Sequence, residues 1–141
     1  MDLFYVAPKS SLDLIMEQGI LPPAQVRRLI EEQKLPREVL GISFGNDPSH
    51  FPEYVSLVQE HHLLTLIAQQ LCFSRHQRFN DPDFMAIGYA LDSSLKDDPQ
   101  FVSHEQVEIM NSCCYPGELL YKGPIDKKYI LHRFAVRTGL F

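Results

Sequence analysis

Apolar and polar positions change period along this chain, and each change marks an element. Leu3 to Ala7 is a short apolar run closed by Pro8, which predicts a strand. Ser10 or Ser11 follows in the position of a helix cap. Leu12, Ile15 and Met16 then fall on one helical face, and Gly19 ends the helix. Ile20-Leu21-Pro22-Pro23 leads away in extended form. Pro23 also suits the first turn of a second helix, Ala24 to Gln33, which turns Val26, Leu29 and Ile30 inward and leaves Arg27 and Arg28 on its wet face.

Val39 to Phe44 reads as another strand, stopped by Gly45-Asn46-Asp47-Pro48. The longest helical spacing runs from about Glu53 to Leu71, through Val55, Val58, Leu63, Leu66, Ile67 and Leu71. Cys72 to Arg75 fits either a continuation of that helix or a strand. Phe84 to Leu91 is strand-like, Ser103 to Met110 helical with capping-box spacing between Ser103 and Gln106, and Gly117 to Tyr121 and Ile130 to Val136 are strand-like. Helices gather in the first half and strands in the second, so the expected class is α+β.

The chain has 141 residues, the length of one domain spanning 1–141, and its 45% hydrophobic content is enough to build a core. A formal net charge of −5 disfavours sequence-independent binding to nucleic acid, which needs a basic surface. Lys122, Lys127, Lys128, Arg133 and Arg137 nevertheless cluster late in the sequence. The 3 cysteines, Cys72, Cys113 and Cys114, make an odd set with two adjacent members, a poor disulfide framework that points to a reducing compartment. The N-terminal residues lack a basic region before an apolar stretch, and no apolar run has membrane-spanning length. The expectation is a soluble, cytoplasmic protein with no membrane partner.

Glu118 is the leading candidate for chemistry. It follows Pro116-Gly117 and opens an apolar strand, a place from which a carboxylate can hold a ribose hydroxyl or stabilise an electron-poor sugar carbon. A surface acid on an edge strand is the plainer alternative. Tyr5 offers a ring and a hydroxyl, or is a core tyrosine. Ser43 offers a hydroxyl within Ile42-Ser43-Phe44. Ser74 and Arg75, with His76 and Arg78, make a compact polar stretch suited to a pyrophosphate or to a solvated loop. His61 and His62 are adjacent and diverge on a helix. The sequence holds no HExxH, CxxC, GxGxxG or P-loop pattern, so no metal site is expected, and Rossmann and nucleotide-hydrolysing readings lack support.

The order of these pieces resembles the ADP-ribosyltransferase superfamily, and is most similar to its compact bacterial members, the DNA thymidine-modifying toxins and the RNA 2′-phosphotransferases. Ser11 to Leu21 resembles the group's "xxLxxIxxxGIL" segment. Glu118 to Ile130 resembles its strand-borne glutamate followed by a turn and an "Ile-x-x-x-Tyr-Ile" ending. Phe84 to Asp92 resembles the central strand between them. The resemblance implies a split, bent β-sheet with surrounding helices, and NAD as substrate in the cleft between half-sheets. It implies that Glu118 holds the nicotinamide ribose, with Tyr5, Ser43, Ser74 and Arg75 as cofactor-binding candidates and Asn111 to Gly117 facing the acceptor. Many members carry His in the first strand where this chain has Tyr5. That departure keeps a second expectation open, a binding module that has lost the reaction. The acceptor is unidentified: protein, small molecule, or a nucleic acid that the acidic balance disfavours. Toxin-like action is a further implication.

Overall fold

The computed structural model describes residues 3–33, 53–59, 85–103, 105–106 and 119–137. Strand β1 (Leu3–Pro8) leads through a short 3-10 turn into helix α1 (Leu12–Gln18), and helix α2 (Pro23–Gln33) follows. The strands after it are β2 (Tyr54–Gln59), β3 (Met85–Leu91), β4 (Phe101–Val102), β5 (Leu119–Lys122) and β6 (Ile130–Arg137). Every neighbouring pair is antiparallel, in the order β4-β5-β2-β1-β3-β6. An antiparallel sheet with two helices outside it agrees with the α+β expectation.

The sheet is not uniformly joined. β1 pairs with β3 from Leu3↔Leu91 to Pro8↔Ala86, and β2 pairs with β5 from Tyr54↔Lys122 to Leu57↔Leu119. Among the described residues, β1 meets β2 at two positions, Leu3↔Gln59 and Phe4↔Val58. Beyond Phe4 the two strands run on with separate partners. The six strands thus form two three-stranded halves, β4-β5-β2 and β1-β3-β6, that share a short seam.

Alternation along each strand sends one set of side chains into the main core. Leu3, Tyr5 and Ala7 of β1 join Val55 and Leu57 of β2, Ile87, Tyr89 and Leu91 of β3, and Leu119 and Tyr121 of β5. Ile15 and Ile20 pack onto this face from α1 and its exit, and Ile125 packs there from the crossing between β5 and β6. The opposite face is buried as well, through Phe4, Val6, Ser56, Ala90 and Leu120. There the Phe4 ring meets the Phe134 ring edge-on at 5.8 Å. Phe134 also lies over Gly88, and a Cβ at that position would collide with the ring.

Helix α1 ends as its sequence anticipates. The Gly19 N–H donates to the Ile15 carbonyl at 2.8 Å, with Gly19 at φ 86° and ψ −173°, a region that only glycine occupies readily. Immediately beyond, Ile20 and Ile125 exchange two backbone hydrogen bonds of 2.9 and 2.8 Å. Helix α2 places Val26, Leu29 and Ile30 half-buried and Arg27 and Arg28 in solvent, as expected. Ser103 meets its expected role too, since its Oγ accepts from the Gln106 N–H at 3.4 Å, and Glu105 and Gln106 are helical.

Two expectations need correction. Met16 is 38% exposed and does not belong to the inward face of α1, because the core lies on the side of Ile15. The helix expected from Glu53 begins instead as a strand over Tyr54–Gln59. Val55 and Leu57, two residues apart, both reach the core with 0% exposure, which a strand allows and a helix does not. The strand expected at Val39 to Phe44, the remainder of the pattern to Leu71 and the stretch Cys72 to Arg75 lie outside the described residues.

Candidate functional site

The seam between β1 and β2 is the first place to look for a site, because the half-sheets part there. Tyr5 follows Phe4, the last β1 residue paired with β2. It is a core residue, 7% exposed, with its ring 6.1 Å from that of Tyr89. On the other half, the chain enters β5 at Leu119, which pairs with Leu57 of β2. Glu118, one residue earlier in the sequence, lies outside the described residues, as do Ser43, Ser74, Arg75, Cys113 and Cys114. Of the five candidates, the described structure therefore places Tyr5 alone.

A polar row crosses the core face of the second half. Tyr5 pairs with Tyr89 on β3, and Tyr89 pairs with Arg133 on β6. Tyr89 is fully buried, and its hydroxyl has no hydrogen-bond partner among the described residues. Burial raises its pKa far above the ordinary phenol range, and Tyr5 adds to the rise. Arg133 and the nearby Ser11 hydroxyl oppose it weakly. Ser11 lies close enough to act on the phenol but not in hydrogen-bonding geometry with it. Sequence reasoning did not single out Tyr89. The available signal was a tyrosine in the middle of the apolar strand Met85-Ala86-Ile87-Gly88-Tyr89-Ala90-Leu91.

A second polar cluster locks the other half. The Tyr121 hydroxyl donates to Asp98 Oδ2 at 2.9 Å, while Asp98 Oδ1 accepts the Gln100 N–H at 2.9 Å. Gln100 Nε2 donates to the Lys122 carbonyl at 2.7 Å, and the Lys122 N–H returns a bond to the Gln100 carbonyl at 2.9 Å. These contacts fasten the turn before β4 to the end of β5. Desolvation, then the hydrogen bond to Asp98 and its charge, push the Tyr121 pKa up to about 12.

A phenol whose folded pKa exceeds its unfolded value stabilises the fold fully below the unfolded value and loses that contribution as pH rises through the folded one. An ordinary tyrosine titrates near 10.0, so the window opens near pH 10 and Tyr121 closes it near pH 12. Urea midpoints are expected to hold steady to about pH 10 and then to fall toward pH 12, with a shallower fall in Tyr121→Phe. An equally steep fall in that variant would remove Tyr121 from the account.

Among the described residues, no group of three or more His, Cys, Asp or Glu side chains is placed to hold a metal ion. No described helix is long and apolar enough to cross a membrane. Comparison with known proteins adds no family: no family model and no curated protein matches the chain.

Proposed function

We propose that this chain is an ADP-ribosyltransferase-like protein that uses NAD as substrate and transfers ADP-ribose to an acceptor, with Glu118 as the essential acid. One observation supports this reading above the others. Two of the three sequence segments that resemble the superfamily, Ser11 to Leu21 and Glu118 to Ile130, lie about a hundred residues apart, and the structure joins them through the paired backbones of Ile20 and Ile125. The division into half-sheets at β1 and β2 adds support, because the resemblance implies a split sheet with NAD in the opening.

In this reading the bond between nicotinamide and ribose C1′ breaks, and nicotinamide leaves with the bonding electron pair. The Glu118 carboxylate holds a ribose hydroxyl and opposes the positive charge that develops on the sugar. An acceptor nucleophile then bonds to C1′ and gives up its proton. Ser43, Ser74 and Arg75 are the proposed contacts to nicotinamide or phosphate. Tyr5 belongs to the core, so its contact with a ribose is through the hydroxyl alone.

The burial of Tyr5, where many superfamily members have His, favours a second reading: a module that binds through the same fold without turnover. Incubation with NAD, followed by nicotinamide release and by melting temperature, separates the two. The transferase releases nicotinamide. The module releases none but melts higher as NAD saturates it, because a ligand bound only by the folded state stabilises by RT ln(1 + [L]/Kd). A chain that neither releases nicotinamide nor responds thermally to NAD refutes both.

A further inference from the structure

Tyr89 carries the one buried side-chain oxygen among the described residues that lacks a hydrogen-bond partner. An unpaired phenol in a core is less stable than the phenylalanine that would fill the same space, so the hydroxyl calls for an explanation. Among the described residues, the groups that act on it are Tyr5 and Arg133, with the Ser11 hydroxyl also close by, and none of these is a carboxylate. The surroundings therefore offer donors and positive charge. The row also reaches solvent: Arg133 is exposed on β6, the last strand of the order among the described residues, as are Leu131 and Ala135 to either side of it. A phenol is protonated at neutral pH, and burial only strengthens that state, so the hydroxyl is available as a donor.

We propose that Tyr89 and Arg133, with Ser11, form a subsite for a phosphate-class oxyanion entering from the β6 edge. Arg133 supplies a planar pair of charge-assisted donors from the solvent side. The Tyr89 hydroxyl gives the buried end of the site its donor, and the oxyanion gives that hydroxyl the acceptor it lacks. Two sources share this chemistry, a free phosphate and the diphosphate of a nucleotide. The proposal does not depend on nicotinamide cleavage or on Glu118.

Thermal melting of the whole chain at matched ionic strength, with inorganic phosphate in one arm and ADP-ribose in the other, tests it. At about ten times its Kd, a bound anion is expected to raise the melting temperature by roughly 4 °C. A response to phosphate identifies a free-phosphate subsite, and a response to ADP-ribose alone identifies a nucleotide diphosphate. In either case Arg133→Gln and Tyr89→Phe should each abolish the response, while Tyr89→Phe melts no lower than the parent without ligand. Met16→Ala, on the exposed side of α1, should keep the response. Absence of a response to both anions, or a response that survives in either Arg133→Gln or Tyr89→Phe, overturns the subsite.

Discussion

Replacing Glu118 by Gln is expected to lower NAD turnover by roughly a hundredfold or more while leaving the melting temperature nearly unchanged. The substitution keeps the side-chain volume and removes the charge. A group that acts only as the glycosidic bond breaks contributes to the transition state and not to the fold, so kcat and kcat/KM should fall together. NAD affinity should change much less, since most of the dinucleotide lies away from the reacting carbon. Nicotinamide release measured beside a thermal titration with NAD reads both quantities. Turnover at the parent rate would show that the acid at the mouth of β5 has no part in the chemistry. Loss of turnover with a collapsed melting temperature would make Glu118 a folding residue instead.

Gly19→Ala should produce the largest change in stability, a loss of about 3 kcal/mol. Two penalties combine at this position. The backbone sits at φ 86° and ψ −173°, where a side chain is strained. The added methyl would also point at the Ile125 carbonyl, which is backbone and already bonded to the Ile20 N–H at 2.9 Å. Relief requires parting the Ile20 and Ile125 strands, and with them the anchor of the crossing over the core. Met16→Ala on the same helix is the control: Met16 is 38% exposed, and its loss should cost little. Urea denaturation of both variants decides the matter. A Gly19→Ala loss no larger than that of the control would mean that neither the conformation nor the contact constrains the chain.

The elements that could be read from the sequence are those with clear boundaries. β1, α1, α2 and β6 are short, bounded by Pro or Gly or by turn residues, and their types follow from those boundaries and from spacing. β2, inside the sheet between β1 and β5, reads as the start of a helix because no Pro or Gly closes it: none occurs between Pro52 and Pro82. Val55 and Leu57 fill one face while Ser56 is buried on the other, so polar residues do not alternate with apolar ones. Val55 and Val58 happen to fall at helical spacing, and a strand buried on both faces gives no competing period. The polar row was hidden for a different reason. Tyr5, Tyr89 and Arg133 become neighbours only through strand register, which no local pattern specifies. Glu118 stands out by its place in the sequence before the apolar stretch that forms β5.

The strand order also bears on how the chain reaches its native state. β1 needs β3, β3 needs β6, and β2 needs β5, so each half of the sheet recruits a partner from residues 119–137. Neither half can be completed from a contiguous stretch of polypeptide. Such non-local closure favours slow acquisition of structure. Until it occurs, β2 and β3 have only β1 to pair with, and each carries an unsatisfied edge open to non-native pairing.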